Sequence, residues 1–212
     1  MSQKNPSPTL AFTVGTETNL NRAIKGIVTA LNDNITLPIT FYGQVQHRVD
    51  SDERVYPGIY QTNTKDWIDL LANDQWNGYG FIDVDDPIQY TAPDAEEAIS
   101  RWRYSFIKQN IALVVYGDIQ KLLFDNSDSS VDWRYTLQTV KDEIVEILSR
   151  KIPGVKGFFN LQNGYSQKVE DLFKTYTIKD QGEYVYLPKF GFRFEGELQV
   201  TEQCTYVAPP SV

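Results

Sequence analysis

The stretch FGFRFEGELQV, residues 190–200, carries the clearest secondary-structure signal in the chain. Phe190, Phe192 and Phe194 alternate with glycine or charged residues, and Leu198 and Val200 continue the apolar series. Because side chains point alternately to opposite faces of a β-strand, this spacing predicts a strand with one apolar face. Such a face has to be covered by other elements of the fold.

Two amphipathic segments are suited to cover that face. Apolar residues recur at spacings of three and four over residues 20–31 and again over residues 133–148. This spacing aligns them on one side of an α-helix, and Asn32-Asp33-Asn34 and Pro153-Gly154 are typical terminators. We expect both helices to lie on the same face of one sheet, with Ile24 and Ile144 buried.

The remaining patterns predict mainly strands. A strand is expected over residues 35–41, a second over 55–62 interrupted at Pro57-Gly58, and another over 155–161. Residues 101–106 and 111–116 are predicted to form a hairpin that turns at 108–110, and a short helix is expected from Ser166. Helices segregated from mostly antiparallel strands indicate the α+β class.

Residues 63–98 show little periodicity, apart from a short helix that Asn63 could cap. Long irregular segments in compact domains are usually functional, and we interpret this one as an insertion. The predicted organisation is an extended arm (1–15), a single domain (16–203) and a tail (204–212).

Aromatic residues are frequent in and near this insertion: Tyr56, Tyr60, Trp76, Tyr79, Phe81 and Tyr90. So many exposed rings are unusual in a solvated loop, and protein interfaces favour aromatic side chains. We therefore predict a protein–protein interface formed by Tyr56, Trp76, Tyr79, Phe81 and Tyr90. A surface on which carbohydrate rings stack is the alternative.

Composition argues against several other functions. The net charge of -8 and the pI of about 4.7 do not fit a free-standing nucleic-acid binder, which needs a basic surface. No apolar run reaches the ~18 residues of a membrane-spanning helix, and the N-terminus shows no secretory signal.

Catalytic residues are also hard to identify in the sequence. The single histidine, His47, is followed by Asp50, Asp52 and Glu53, which is typical of a charged hairpin tip at the surface. The single cysteine, Cys204, has no second histidine to activate it. We expect no enzymatic activity, no catalytic residue and no cofactor.

An acidic run provides the only candidate for metal binding. Asp83, Asp85, Asp86 and Asp94 resemble the acidic ligands of a calcium loop. Such a loop requires Gly at its sixth position and Glu at its twelfth, and counting from Asp83 places Ile88 and Asp94 there. We therefore predict a hydrated acidic loop without a metal.

The order of the quoted segments resembles that of a known family. A helix over 20–31 leads into LPITFYGQ (37–44), IALVVYGDI (111–119) precedes WRYTLQTVKDEIVEILSRK (133–151), and FGFRFEGELQV follows. This arrangement is similar to that of tail-terminator and tail-completion proteins of tailed bacteriophages, and most of all to neck and tail ring proteins of crAss-like phages.

The resemblance implies a tail-terminator-like fold and a structural virion protein. Many copies would form a homo-oligomeric ring that links the portal to the tail and surrounds the DNA channel. The expected partners are other neck, tail or portal proteins, with DNA passing through unbound and no membrane contact. The protein would then reside in the neck or tail of the virion, and in the host cytoplasm during assembly.

Overall fold

The computed structural model of this chain describes residues 19–61, 65–70, 77–84, 89–91, 104–123, 133–150, 152, 157–166, 172–177 and 189–203. Its helices are α1 (Asn19–Asn34), α2 (Ile119–Leu123) and α3 (Trp133–Ser149). Its strands are β1 (Thr40–Gln44), β2 (Gln46–Val49), β3 (Val55–Gln61), β4 (Asp66–Asp69), β5 (Gly78–Val84), β6 (Gln89–Thr91), β7 (Tyr104–Asp118), β8 (Gly157–Ser166) and β9 (Lys189–Gln203).

The larger sheet has six strands in the order β1-β5-β7-β9-β8, with β6 also paired to β7. Only the β1–β5 pairing is parallel among these, and the other pairings are antiparallel. Strands β7 and β9 pair in register along their full 15-residue lengths. The strand predicted over 190–200 is therefore confirmed as the body of β9, and the α+β class is confirmed with it.

Helices α1 and α3 pack together on one face of this sheet. Ile24 and Ile144 are both fully buried, as the sequence predicted. They belong to one apolar cluster with Phe190, Phe192 and Phe194 of β9. The helix layer therefore covers the face on which these three phenylalanines lie.

The opposite face of the large sheet is covered by a second layer. A smaller antiparallel sheet, β2-β3-β4, packs there together with residues 172–177. Val55, Ile59 and Ile68 of the small sheet pack against a second cluster of buried side chains. That cluster contains Tyr42, Val45, Leu70, Tyr79, Phe81, Val114, Tyr116, Leu172, Phe173 and Tyr176. The described residues therefore form three layers, with the large sheet between the other two.

The predicted irregular insertion over 63–98 contains three strands. β4 replaces the short helix expected after Asn63, β6 pairs with β7, and β5 lies between β1 and β7. Glycine and aspartate hide the strand character of β5 in the sequence. Gly80 is there for packing, because a Cβ at this position would lie 2.6 Å from the Phe41 ring.

Three other strand predictions also require correction. Residues 104–118 form one continuous strand without a turn at 108–110, because each residue along it pairs with β9. β3 continues through Pro57-Gly58, where Pro57 pairs with His47 and its carbonyl accepts from the Leu70 amide at 2.9 Å. β1 begins only at Thr40, so the alternation over 35–39 does not mark a strand.

An asparagine on α1 occupies the outer edge of β1. The Phe41 amide donates to Asn32 Oδ1 at 2.8 Å, and Asn32 Nδ2 donates to the Phe41 carbonyl at 2.9 Å. The side chain thus satisfies both polar groups of Phe41, as a neighbouring strand would. Covering an edge in this way protects a sheet from unwanted pairing.

The predicted arm (1–15) and tail (204–212) lie outside the described residues, as do residues 167–171 of the helix predicted from Ser166. Where the description resumes, Leu172 and Phe173 are buried in the second cluster. β8 matches the strand predicted over 155–161, but it begins at Gly157 and extends to Ser166.

Candidate interaction surface

Most of the aromatic residues predicted to form an interface belong to the chain's own core where the structure describes them. Tyr79 is 1% exposed and Phe81 is fully buried, because both side chains point from β5 into the apolar layer between the two sheets. Tyr56 is also buried. Trp76 and the side chain of Tyr90 lie outside the described residues, although the backbone of Tyr90 belongs to β6. A surface available to a partner therefore cannot be built on Tyr79 and Phe81.

A different set of aromatic residues reaches the surface on the small sheet. The side of β2-β3-β4 that faces away from the large sheet is here called the outer face. Its residues are Arg48, Tyr56, Gly58, Tyr60, Trp67 and Asp69. Ile59 and Ile68 point the other way, into the second apolar cluster.

The register of the small sheet brings the aromatic residues of the outer face together. Tyr60 pairs with Trp67 across β3 and β4, and their rings meet edge to face with centroids 5.3 Å apart. Tyr60 is 40% exposed and Trp67 is partly exposed. These two rings therefore present an aromatic surface to solvent.

Arg48 crosses the small sheet from β2 to β4 on this face. Its guanidinium carbon lies 4.9 Å from the Trp67 ring centroid and 5.5 Å from that of Tyr56, within the range of a cation–π contact. Its Nη1 donates to Asp69 Oδ1 at 2.5 Å. Gly58 makes this path possible, because a Cβ there would come 2.6 Å from Arg48 Cδ.

The sequence contained part of the signal for the outer face. Tyr60 is one of the aromatic residues noted in the sequence, whereas Trp67 falls in the short helix predicted after Asn63, which the structure replaces with β4. The alternation of Tyr56, Gly58 and Tyr60 has strand period, but the Pro57-Gly58 pair concealed it. The contribution of Arg48 depends on two strand pairings and has no local signature.

A buried polar cluster lies between the large sheet and residues 172–177. Asp83 is 1% exposed, and Arg193 donates from Nη1 to its Oδ2 at 3.2 Å. Thr175 Oγ1 donates to the same oxygen at 3.0 Å, and the Tyr176 hydroxyl donates to Oδ1 at 3.1 Å. The prediction that Asp83 is hydrated in a loop is therefore wrong, because these donors replace water around its carboxylate.

Charged residues surround this cluster where it approaches solvent. Arg193 Nε also donates to Glu195 Oε1 at 3.1 Å, and Lys174 Nζ donates to the same oxygen. The hydrogen bond from Lys174, followed by the one from Arg193, lowers the pKa of Glu195. Burial, reinforced by the negative charge of Asp83, raises the pKa of Tyr176 far above its ordinary value.

The single histidine, which the sequence places near a charged hairpin tip, also lies beside this cluster. His47 Nε2 is 3.6 Å from Asp83 Oδ1, and its ring meets the Tyr176 ring edge to face at 5.0 Å. Its side chain is 44% exposed. No local sequence pattern indicates this contact, because Asp83 is on another sheet.

The Asp83 carboxylate is compensated by Arg193 and by two hydroxyl donors, an arrangement that joins β5, β9 and residues 172–177. Among the residues that the structure describes, no three His, Cys, Asp or Glu side chains are grouped so as to bind a metal. None of the helices described here is long and apolar enough to cross a membrane.

The outer face is thus the exposed candidate surface, and the Asp83 cluster is an internal junction. Comparison with known proteins adds no family: the sequence matches no protein-family model and no curated protein.

Proposed function

We propose that this chain is a structural virion protein, one subunit of a ring in the neck or tail of a tailed bacteriophage. The observation that supports this proposal most is the placement of both amphipathic helices on one face of a mostly antiparallel sheet. That arrangement is the one implied by the resemblance to tail-terminator proteins. In this role the protein is non-enzymatic and requires no cofactor.

The surface of the chain is compatible with repeated subunit contacts. Centres of protein interfaces are enriched in Tyr, Trp and Arg, the residue types of the outer face. Tyr60 and Trp67 lie on a sheet whose two outer strands are joined by the Arg48–Asp69 pair. Such a surface would contact a further copy or another neck, tail or portal protein.

The acidic character of the chain suits a channel through which DNA passes. With a net charge of -8, a ring of many copies would present a strongly negative surface. Such a surface repels the phosphate backbone and prevents retention of DNA. The ring would connect portal and tail in the virion, after assembly in the host cytoplasm.

Native mass spectrometry of the purified full-length chain tests this proposal. We expect one dominant oligomer of fixed copy number, which negative-stain electron microscopy shows end-on as a ring with a central opening. A DNA-retention assay at physiological salt should show no binding. A chain that stays monomeric over the whole concentration range, or forms only an open ladder of sizes, would contradict a closed ring.

A carbohydrate-binding module is the second candidate, and the partly exposed Tyr60–Trp67 pair is the observation that favours it. Aromatic rings of this kind can stack against sugar rings. Titration with a panel of oligosaccharides should then produce saturable quenching of tryptophan fluorescence. Tyr60→Ala is the matched variant, because it removes one stacking ring and retains Trp67 as the reporter. Absence of quenching across the panel would exclude this alternative.

A further inference from the structure

We propose that the small sheet, β2-β3-β4 together with Leu70, is a lid that opens as one unit while the large sheet and its helix layer stay folded. The lid helps to cover Tyr79 and Phe81, which no partner can reach while it is closed. Such a lid is a property of the single chain and does not depend on the proposed ring.

The lid has a hydrogen-bond ladder of its own. β3 pairs with β2 on one side and with β4 on the other, and all three strands belong to a sheet separate from the large one. The Leu70 amide continues the second pairing by donating to the Pro57 carbonyl at 2.9 Å. These bonds do not involve the large sheet, so the lid can retain them when it moves away.

Hydrogen bonds join the lid to the rest of the described chain at two places. At the start of β3, the Thr177 amide donates to the Val55 carbonyl at 3.0 Å, and the Val55 amide donates to Thr177 Oγ1 at 2.7 Å. After the end of β4, the Tyr79 hydroxyl donates to the Leu70 carbonyl at 3.1 Å. These contacts act as two latches, because Thr177 and Tyr79 belong to the segment packed on the large sheet and to the large sheet itself.

The apolar contacts under the lid are weaker than those under the helices. Val55, Ile59 and Ile68 face the large sheet but are only partly buried. On the opposite face, helix α1 alone contributes a full stripe of buried aliphatic side chains: Leu20, Ala23, Ile24, Ile27, Val28 and Leu31. Because hydrophobic stabilisation grows with the apolar area removed from water, the lid should separate from the large sheet more readily than the helix layer does.

The boundary of the lid is also open to solvent on one side. His47 lies on the side of β2 that faces Asp83, and its side chain is 44% exposed although Asp83 is 1% exposed. The chain enters the lid directly from the large sheet, since the Val45 amide donates to the Ile82 carbonyl at 3.0 Å and β2 begins at Gln46. We place the hinge at this junction, where one short step of backbone joins the two sheets.

Thiol labelling at two buried positions tests the lid. Leu70→Cys places a thiol on the lid and Leu198→Cys places one under the helix layer, and both leucines are fully buried. In a Cys204→Ser background, each variant is checked by circular dichroism and treated with dilute iodoacetamide, so that the labelling rate follows the population of the open form. We expect the thiol at position 70 to react more than about tenfold faster than the thiol at position 198, because lid opening exposes only the former.

A second substitution in each variant separates lid opening from global unfolding. Ile144→Val weakens the helix layer, which stays folded when the lid opens. It should therefore raise the labelling rate at position 198 about fivefold and leave the rate at position 70 unchanged. Thr177→Val removes one latch and should raise the rate at position 70 about fivefold. Thr177→Ser is the matched control, because it keeps the hydroxyl that accepts from the Val55 amide, and it should leave that rate within about twofold of the parent.

Two results of the labelling experiment would overturn the lid. Equal rates at positions 70 and 198, or a rise at both positions in Ile144→Val, would mean that position 70 is exposed only by global unfolding. A thiol at position 70 that reacts as fast as free cysteine would mean that the lid has no closed state.

Native-state hydrogen exchange of the unmodified chain is an independent measurement, which does not require the cysteine variants to fold. The amides of Val55 and Thr177 both donate across the lid boundary, so they should share one opening free energy. This free energy should lie below that of the Val114 amide in the centre of β7. Different values for Val55 and Thr177, or a shared value equal to that of Val114, would contradict opening of the lid as one unit.

Discussion

Asp83 is held by groups that are far from it in the chain. Its ion-pair partner Arg193 is 110 residues away, and Thr175 and Tyr176 come from a third segment. Removing two charges from water is unfavourable, and an ion pair offsets that cost only when its remaining polar atoms are hydrogen-bonded. The donors around Asp83 meet this requirement. Replacing only one member of the Asp83–Arg193 pair should therefore lower the free energy of unfolding far more than replacing both.

Replacement of Arg193 by methionine tests this asymmetry at the residue scale. Arg193→Met leaves the Asp83 charge buried without its cation, and we expect the free energy of unfolding to fall by about 3–5 kcal/mol. The Asp83→Leu/Arg193→Met double variant should recover much of that loss. Urea unfolding followed by circular dichroism measures both. As a control, Arg150→Ala breaks an exposed pair with Glu146 and should change stability by less than ~1 kcal/mol.

Glu195 gives the protein a predictable response to acid. Its pKa is lowered in the folded state, first by the hydrogen bond from Lys174, so the folded chain releases this proton more readily than the unfolded chain. The stabilisation is therefore present at neutral pH and is lost as pH falls through the lowered pKa. Thermal melts at pH 7 and in acid should show a smaller acid-induced decrease for Glu195→Gln. An equal decrease in parent and variant would show that the interaction contributes nothing.

At the scale of single elements, the edge of β1 depends on one side chain of α1. Asn32 forms two hydrogen bonds with Phe41 and thereby connects a helix to the strand beside which it packs. Because Phe41 is fully buried, its backbone polar groups have little access to water. An unsatisfied buried group costs about 1–3 kcal/mol.

Asn32→Ala should therefore destabilise the chain by roughly 1–3 kcal/mol. Asn34→Ala is the matched control, since Asn34 also bonds a backbone carbonyl, that of Ala30, but at an exposed position. Chemical unfolding should show a clear decrease in the free energy of unfolding for Asn32→Ala and a small decrease for Asn34→Ala. Equal losses would mean that the effect comes from helix α1 itself and not from the edge of β1.

At the scale of the whole molecule, the large sheet is covered on both faces, and this arrangement decides which aromatic residues are available to partners. Phe81 and Tyr79 point into the layer between the two sheets, whereas Tyr60 points out of the small sheet. Removing a core ring and removing a surface ring should therefore have opposite consequences for folding and association.

Phe81→Ala and Tyr60→Ala test this division. Phe81→Ala should reduce the free energy of unfolding by about 3–5 kcal/mol, because it removes a fully buried ring and leaves a cavity. Tyr60→Ala should melt within a few degrees of the parent. Differential scanning calorimetry compares the two variants. A stable Phe81→Ala chain that only fails to associate would instead support the interface predicted for Phe81 from the sequence.

Elements whose signal is local could be predicted from the sequence. The stripes of α1 and α3 and the alternation of β9 each follow from residues a few positions apart, and all three formed as predicted. Their apolar faces also required a shared core, which predicts the helix layer over Phe190, Phe192 and Phe194. These features can be recognised in the sequence because the repeat of a helix or a strand spans only a few neighbouring residues.

The tertiary structure alone decided the role of residues whose partners are distant. β5 is a buried strand because neighbours on both sides pair with it, although Gly78, Gly80 and Asp83 make it look like a loop. Asp83 is buried because Arg193 neutralises it from another strand. Arg48 reaches Trp67 across β3 because Gly58 has no side chain to block its path. A sequence pattern reports the spacing of residues along the chain, whereas burial and charge compensation depend on contacts between segments that only folding brings together.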